Sequence, residues 1–223
     1  METRPADSTN EHGFSLVELL MAMTITLVIM GIATEVLIGA LSIRTREDQK
    51  VDAIADVQRV LNIASREVAN SGFGLLADNG LVGADCSSTS IRIRANLNAF
   101  SGVTGWDKTS DIKFYLAQTS TDSYLVRYDV NANDVTVLAN RIDSFNVHYY
   151  NSKVTYNASG CDITGASASE SAAYAQSGYI VLTACVKLPA IGSPGALGYH
   201  PASTVAVTSD VTLRNAAANL ATY

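Results

Sequence analysis

Residues 14–43 read FSLVELLMAMTITLVIMGIATEVLIGALSI. Twenty-one of these thirty residues are apolar, and the only charges are Glu18 and Glu35. A helix needs about 20 apolar residues to cross a hydrocarbon core about 30 Å thick. The segment meets that length. It is longer than the apolar core of a secretory signal, and no Ala-x-Ala cleavage pattern follows it. Between Leu19 and Thr34 only threonines and one glycine interrupt the apolar run. A membrane-spanning helix is therefore favoured over the buried helix of a soluble protein.

Working outward, residues 44–70 read RTREDQKVDAIADVQRVLNIASREVAN. Charge appears at once, at Arg44, Arg46, Glu47, Asp48 and Lys50. Ile54, Val57, Leu61, Ala64 and Val68 then recur at alternating spacings of three and four, which lays one apolar stripe along a helix. Gly72 offers a C-terminal stop, and no proline intervenes. The pattern predicts one continuous helix from Phe14 to about Asn70. Its first half sits in lipid, and its second half packs on the rest of the chain.

That remainder reads as strands. Ser90–Arg94 and Asp111–Ala117 alternate apolar with polar residues. Ser123–Val130 and Asp134–Ala139 flank Asn131-Ala132-Asn133, as a hairpin would. Ile142–Tyr150, Tyr179–Leu188 and Ser203–Leu213 complete the set. Thr164–Ser177 and the proline-rich Pro189–Ala202 read as surface loops. Strands in a run after one helix predict an α+β fold, with an antiparallel sheet packed on the helical stripe.

Composition bounds the function. The chain has 223 residues, 48% hydrophobic, with 15 basic and 21 acidic side chains and a net charge of −6. Such hydrophobicity excludes a disordered chain. The acidic balance argues against a dedicated nucleic-acid binder, which needs clustered Lys and Arg. No HExxH, GxSxG, Walker or Rossmann pattern occurs, so no catalytic residues are assigned. The three cysteines show no CxxC spacing, which disfavours zinc and thioredoxin-like chemistry. Cys161–Cys185 is the expected bridge, joining a loop to a strand and leaving Cys86 free. The other two pairings and the reduced state stand as alternatives. Asp129, Asn131 and Asn133 match the opening of a calcium loop. Asp134 and Asn140, however, stand where that loop wants Gly and Glu, so an Asx-rich turn is the preferred reading and calcium the alternative. No other cofactor is expected.

The start of the apolar segment carries the most information. Gly13-Phe14-Ser15-Leu16-Val17-Glu18 follows a polar leader and opens directly into the apolar helix. This resembles the type IV prepilin signature, with Gly before the cut, Phe after it and Glu as the fifth mature residue. The resemblance implies cleavage after Gly13 by prepilin peptidase on the cytoplasmic side, and N-methylation of the Phe14 amine. A buried carboxylate in lipid needs a partner. In the family, Glu18 would pair with the Phe14 ammonium of a neighbouring subunit during assembly. Glu35 reads as the outer membrane–water boundary, with pairing to a cation on a neighbouring subunit as the alternative. The leader is unusually acidic, with Glu2, Asp7 and Glu11 against Arg4, while Arg44 and Arg46 follow the helix. Loop charge alone would favour the opposite orientation, but processing requires a cytoplasmic leader.

The order of strand motifs after residue 120 is similar to PilW-type minor pilins, relatives of the J-type minor pseudopilins of type II secretion. The motifs are Val126–Asn133, Val137–Ala139, Arg141–Tyr150 and Val211–Asn215. The implied organisation is a leader (1–13), a transmembrane and assembly helix (14–43), its amphipathic continuation (44–72) and a β-rich globular domain (73–223). The implied role is a non-enzymatic subunit of pilus assembly or priming, near the pilus tip. Its partners would be other minor and major pilins, prepilin peptidase, the inner-membrane assembly platform and the lipid bilayer. The implied location is the bacterial inner membrane in a single pass, with the globular domain in the periplasm and at the cell surface after assembly. A J-type pseudopilin, or a membrane-anchored periplasmic binding or enzymatic domain, are the alternatives. Removing the leader leaves 14 basic and 18 acidic side chains, a net −4.

Overall fold

The structure is a computed structural model that describes residues 15–75, 78–97, 110–120 and 122–216. One helix, α1 (Leu16–Ala69), runs unbroken for 54 residues, about 80 Å at 1.5 Å per residue. It carries no proline to interrupt it. It ends at Asn70, whose N–H donates to Glu67 O, while the Ser71 N–H donates to Val68 O. The chain then turns sharply at Gly72, with φ +74°. A Cβ there would strike the backbone of Asp78 and Asn79, so this stop also docks the following segment.

Among the described residues nine strands follow: β1 (Ser90–Arg94), β2 (Asp111–Gln118), β3 (Ser123–Asp129), β4 (Asp134–Asn140), β5 (Ser144–Tyr150), β6 (Asn157–Ser159), β7 (Asp162–Thr164), β8 (Tyr179–Leu188) and β9 (Ser203–Thr212). All pairings between them are antiparallel. The fold is thus α+β and pilin-like, with a long N-terminal helix packed on antiparallel sheet. The single expected sheet is divided, however. β1-β2-β3-β4 form one sheet and β5-β8-β9 a second, and β6-β7 is a separate hairpin. The division falls at Arg141, a non-glycine residue at φ +67°. That turn sends β5 to pair with β8 rather than β4. The β6-β7 hairpin had no legible signal, because each strand is only three residues long.

The two sheets cradle the second half of α1. Ala53, Val57, Val60, Leu61, Ala64 and Val68 share one buried core with Ile91, Phe114 and Leu125 of the first sheet and Phe145, Ile180 and Leu182 of the second, and the helix lies along β4, β8 and β9. Each fully buried Val, Leu, Ile or Phe side chain contributes about 1.5–3 kcal/mol. Ala53 and Val60 join the predicted stripe, while Ile54 is only partly buried. A helix touched from two sides buries a wider arc than one laid on a single sheet.

β8 is buried on both faces. Nine of its ten residues are buried, because the hairpin and the chain beyond it cover the outer face. Tyr150, Val154, Ile163, Tyr179 and Val181 form a second apolar cluster there. A central strand covered on both faces loses its polar alternation.

Candidate functional site

The first half of α1 is the candidate site. Leu16, Val17, Leu19, Leu20, Met21, Met23, Ile25, Leu27, Val28, Ile29, Met30 and Ile32 are all exposed. So large an apolar surface is incompatible with water and suits lipid or other helices. The three threonines do not spoil it. Their hydroxyls donate back to the helix, Thr24 to Met21 O (2.9 Å), Thr26 to Ala22 O (2.7 Å) and Thr34 to Met30 O (2.8 Å). Each polar group is therefore satisfied without water, as hydrocarbon requires.

Glu18 stands in the first turn of this helix and is exposed. Ser15 occupies the N-cap but its side chain makes no capping bond. The positive end of the helix dipole is therefore answered by the Glu18 carboxylate rather than by a cap. Gly13 and Phe14 lie outside the described residues. Glu35 is exposed five turns further on, and the apolar surface continues past it through Val36, Leu37, Ile38, Leu41 and Ile43.

One residue here escaped the sequence reading. Arg46 is buried on α1, and its guanidinium donates to Pro189 O (2.7 Å), Pro201 O (2.9 Å) and Ser203 Oγ (2.7 Å). The helical stripe thus extends back through Gln49, Arg46, Ser42 and Gly39 at the same three-and-four spacing. The signal was present in the spacing but hidden by polar and small residues. Arg46 also spends its charge on the fold, which lowers its weight in the positive-inside comparison.

The remaining candidates lie on the β-domain. Cys161 and Cys185 form a disulfide, with S–S 2.03 Å and Cα–Cα 5.4 Å. It pins the turn of the β6-β7 hairpin to the outer face of β8. Cys86 is free and buried, and burial pushes its thiol up in pKa. Beside the disulfide, His148 Nε2 lies 2.6 Å from Asp162 Oδ1 and its Nδ1 lies 2.6 Å from Glu170 Oε1. Burial opposes protonation of this imidazole, but the two carboxylates outweigh it and the pKa is raised. On β2, Asp111 is buried and bonded to Arg92 and Arg94 at 2.6–2.9 Å. Burial pushes that carboxyl up, and the two guanidinium groups overcome it and hold it below the usual range.

Asp129, Asn131 and Asn133 build the β3-β4 turn. Asp129 Oδ1 accepts from the N–H groups of Asn131 (3.1 Å) and Ala132 (3.0 Å). Asn133 adopts φ +53°, and its Oδ1 accepts from the Tyr128 hydroxyl (2.9 Å). Among the described residues, no cluster of three or more His, Cys, Asp or Glu is placed to hold a metal.

Residues 8–34 match the family described as prokaryotic N-terminal methylation motif. No curated protein and no solved structure matches the chain. The match spans the Gly13–Phe14 junction, Glu18 and most of the exposed apolar half of α1. The chain therefore carries a prepilin-type N-terminus running into a helix long and apolar enough for a single-pass inner-membrane anchor, as type IV pilin-like proteins do.

Proposed function

We propose that this chain is a non-enzymatic minor pilin of the PilW type, acting in type IV pilus assembly or priming near the pilus tip. The observation that carries the reading is the continuity of motif and helix. The methylation motif over residues 8–34 leads without a break into an exposed apolar surface whose first charge is Glu18. Prepilin peptidase cuts after Gly13, and the exposed Phe14 amine is methylated. In the filament, the Glu18 carboxylate meets the Phe14 ammonium of a neighbour. That charge pair sets the axial register between helices that would otherwise slide, since an unpaired carboxylate in hydrocarbon costs about 2.5 kcal/mol or more. The β-domain, in the periplasm, selects the neighbouring pilins and the assembly platform.

N-terminal mass spectrometry of the protein from its host tests this. N-methyl-Phe14 as the first residue supports it. An intact leader on fully functional protein overturns it and favours a permanently anchored domain. A deletion strain that keeps surface pili but loses secreted enzymes would move the chain to type II secretion as a J-type pseudopilin.

A further inference from the structure

The loop joining β8 to β9, residues 189–202, contains no Asp, Glu, Lys or Arg. It is a folded object. Ile191 and His200 exchange backbone hydrogen bonds of 2.9 and 3.0 Å, and tight turns follow at Ser193–Ala196 and Ala196–Tyr199. Arg46 grips both ends of it through Pro189, Pro201 and Ser203. The tip lies against α1. A Cβ on Gly198 would collide with the Ser42 hydroxyl and sit 3.3 Å from Gly39 Cα. Gly198 holds φ +82°, so both its conformation and its contact require glycine. The adjacent Leu197 is 71% exposed.

The depth of this contact along α1 is informative. Leu16 to Glu35 spans about 30 Å of helix, the thickness of a hydrocarbon core. Gly39 and Ser42 lie about 6 and 10 Å further along the axis. The interfacial layer on each side of a bilayer is about 5–8 Å thick. Successive Cα atoms are about 3.8 Å apart, so Leu197 sits near that layer too. At the same level the helix exposes Val36, Leu37, Ile38 and Leu41. Tyr199 adds a half-buried ring of the kind enriched at membrane interfaces.

We propose that the 189–202 loop is a foot that rests on the bilayer, with Leu197 entering the outer headgroup layer of the membrane that α1 spans. The occupant is lipid because the loop is continuous in depth with the spanning surface and offers no charge to keep it hydrated. Arg46 and the Gly198 contact hold the foot rigidly to the helix. The domain therefore stands at a fixed angle and height, rather than swinging about its anchor. The proposal rests on the reading of α1 as a membrane span.

The test uses the full chain, one copy per nanodisc, in phosphatidylethanolamine–phosphatidylglycerol bilayers. The discs carry a phospholipid with a photoactivatable diazirine near its headgroup, and labelled peptides are mapped by mass spectrometry. The expected result is labelling of 189–202 several-fold above the β3-β4 turn at 129–134, alongside labelling of the outer end of the apolar helix; that turn follows Arg127, whose partner Glu67 lies about 30 Å further along α1 than Arg46. Leu197→Asp, at an exposed position, should lower loop labelling several-fold and leave helix labelling unchanged. Labelled helix with a loop at background overturns the foot while sparing the membrane reading. Loop labelling indifferent to Leu197→Asp also overturns it. An unlabelled helix overturns the spanning reading itself. Loop labelling that appears only when discs hold several chains assigns the surface to a second copy and overturns the lipid assignment.

Discussion

Glu18 is exposed, charged and surrounded along its helix by leucine, valine and methionine. Glu18→Ala should leave membrane insertion intact, because it removes a polar group from an apolar segment, yet should impair filament incorporation. Comparing membrane-fraction yield with pilus yield checks this, and normal incorporation would dismiss the pairing mechanism. Asp111 is a different kind of acid. Its carboxylate is buried and serves two arginines, so Asp111→Asn should destabilise the domain by about 3 kcal/mol in denaturant unfolding. Its folded pKa is depressed, so this stability is present at neutral pH and fades as pH falls through the carboxyl's folded value. His148 runs the other way. Its folded pKa is raised, so its stabilisation is complete below the ordinary histidine value and disappears as pH rises through the folded one. Melting temperatures of wild type and His148→Gln should therefore differ most in mild acid and converge in mild base. Glu18 was legible because its meaning lies in a local motif. His148 was not, because its partners stand 14 and 22 residues away and only the folded hairpin brings them near.

At the scale of elements, the helix and the seven longer strands were legible because periodicity survives in them. β2, β3 and β4 lie within one residue of where the alternation ends. Two things were not. The outer cover of β8 depends on a hairpin too short to carry a period. The split into two sheets depends on Arg141 taking a left-handed conformation, which nothing in its identity announces. The disulfide is the main tie for the cover. Its sequence separation of 24 residues corresponds to about 3 kcal/mol of loop-closure entropy. Reduction, or Cys161→Ser with Cys185→Ser, should lower stability by that order. It should also raise amide exchange in β6 and β7 before β8, as hydrogen-exchange mass spectrometry would record. Arg46→Ala should loosen residues 189–202 while the paired strands keep their protection. Equal loss of protection across β8 and β9 would show that Arg46 supports the whole sheet instead.

Across the whole molecule, two materials share one helix. The first half of α1 is apolar on every side and exposed, and the second half is the spine of a packed core. The protein should therefore stay with membranes through high salt and alkaline washes and leave only in detergent. Release by salt alone would contradict the spanning reading. The same continuity has a consequence for turnover. Many anchored proteins hang from a flexible stalk, and a protease that cuts the stalk sheds an intact soluble domain. Here the anchor passes into the core with no stalk between them, because Arg46 is already buried only three residues after Ile43. A cut past Arg46 would sever turns that precede or carry Ala53, Val57 and Leu61, and the released piece would lack part of its own spine. The fold thus resists shedding: the domain leaves the membrane with its anchor or not as a folded unit.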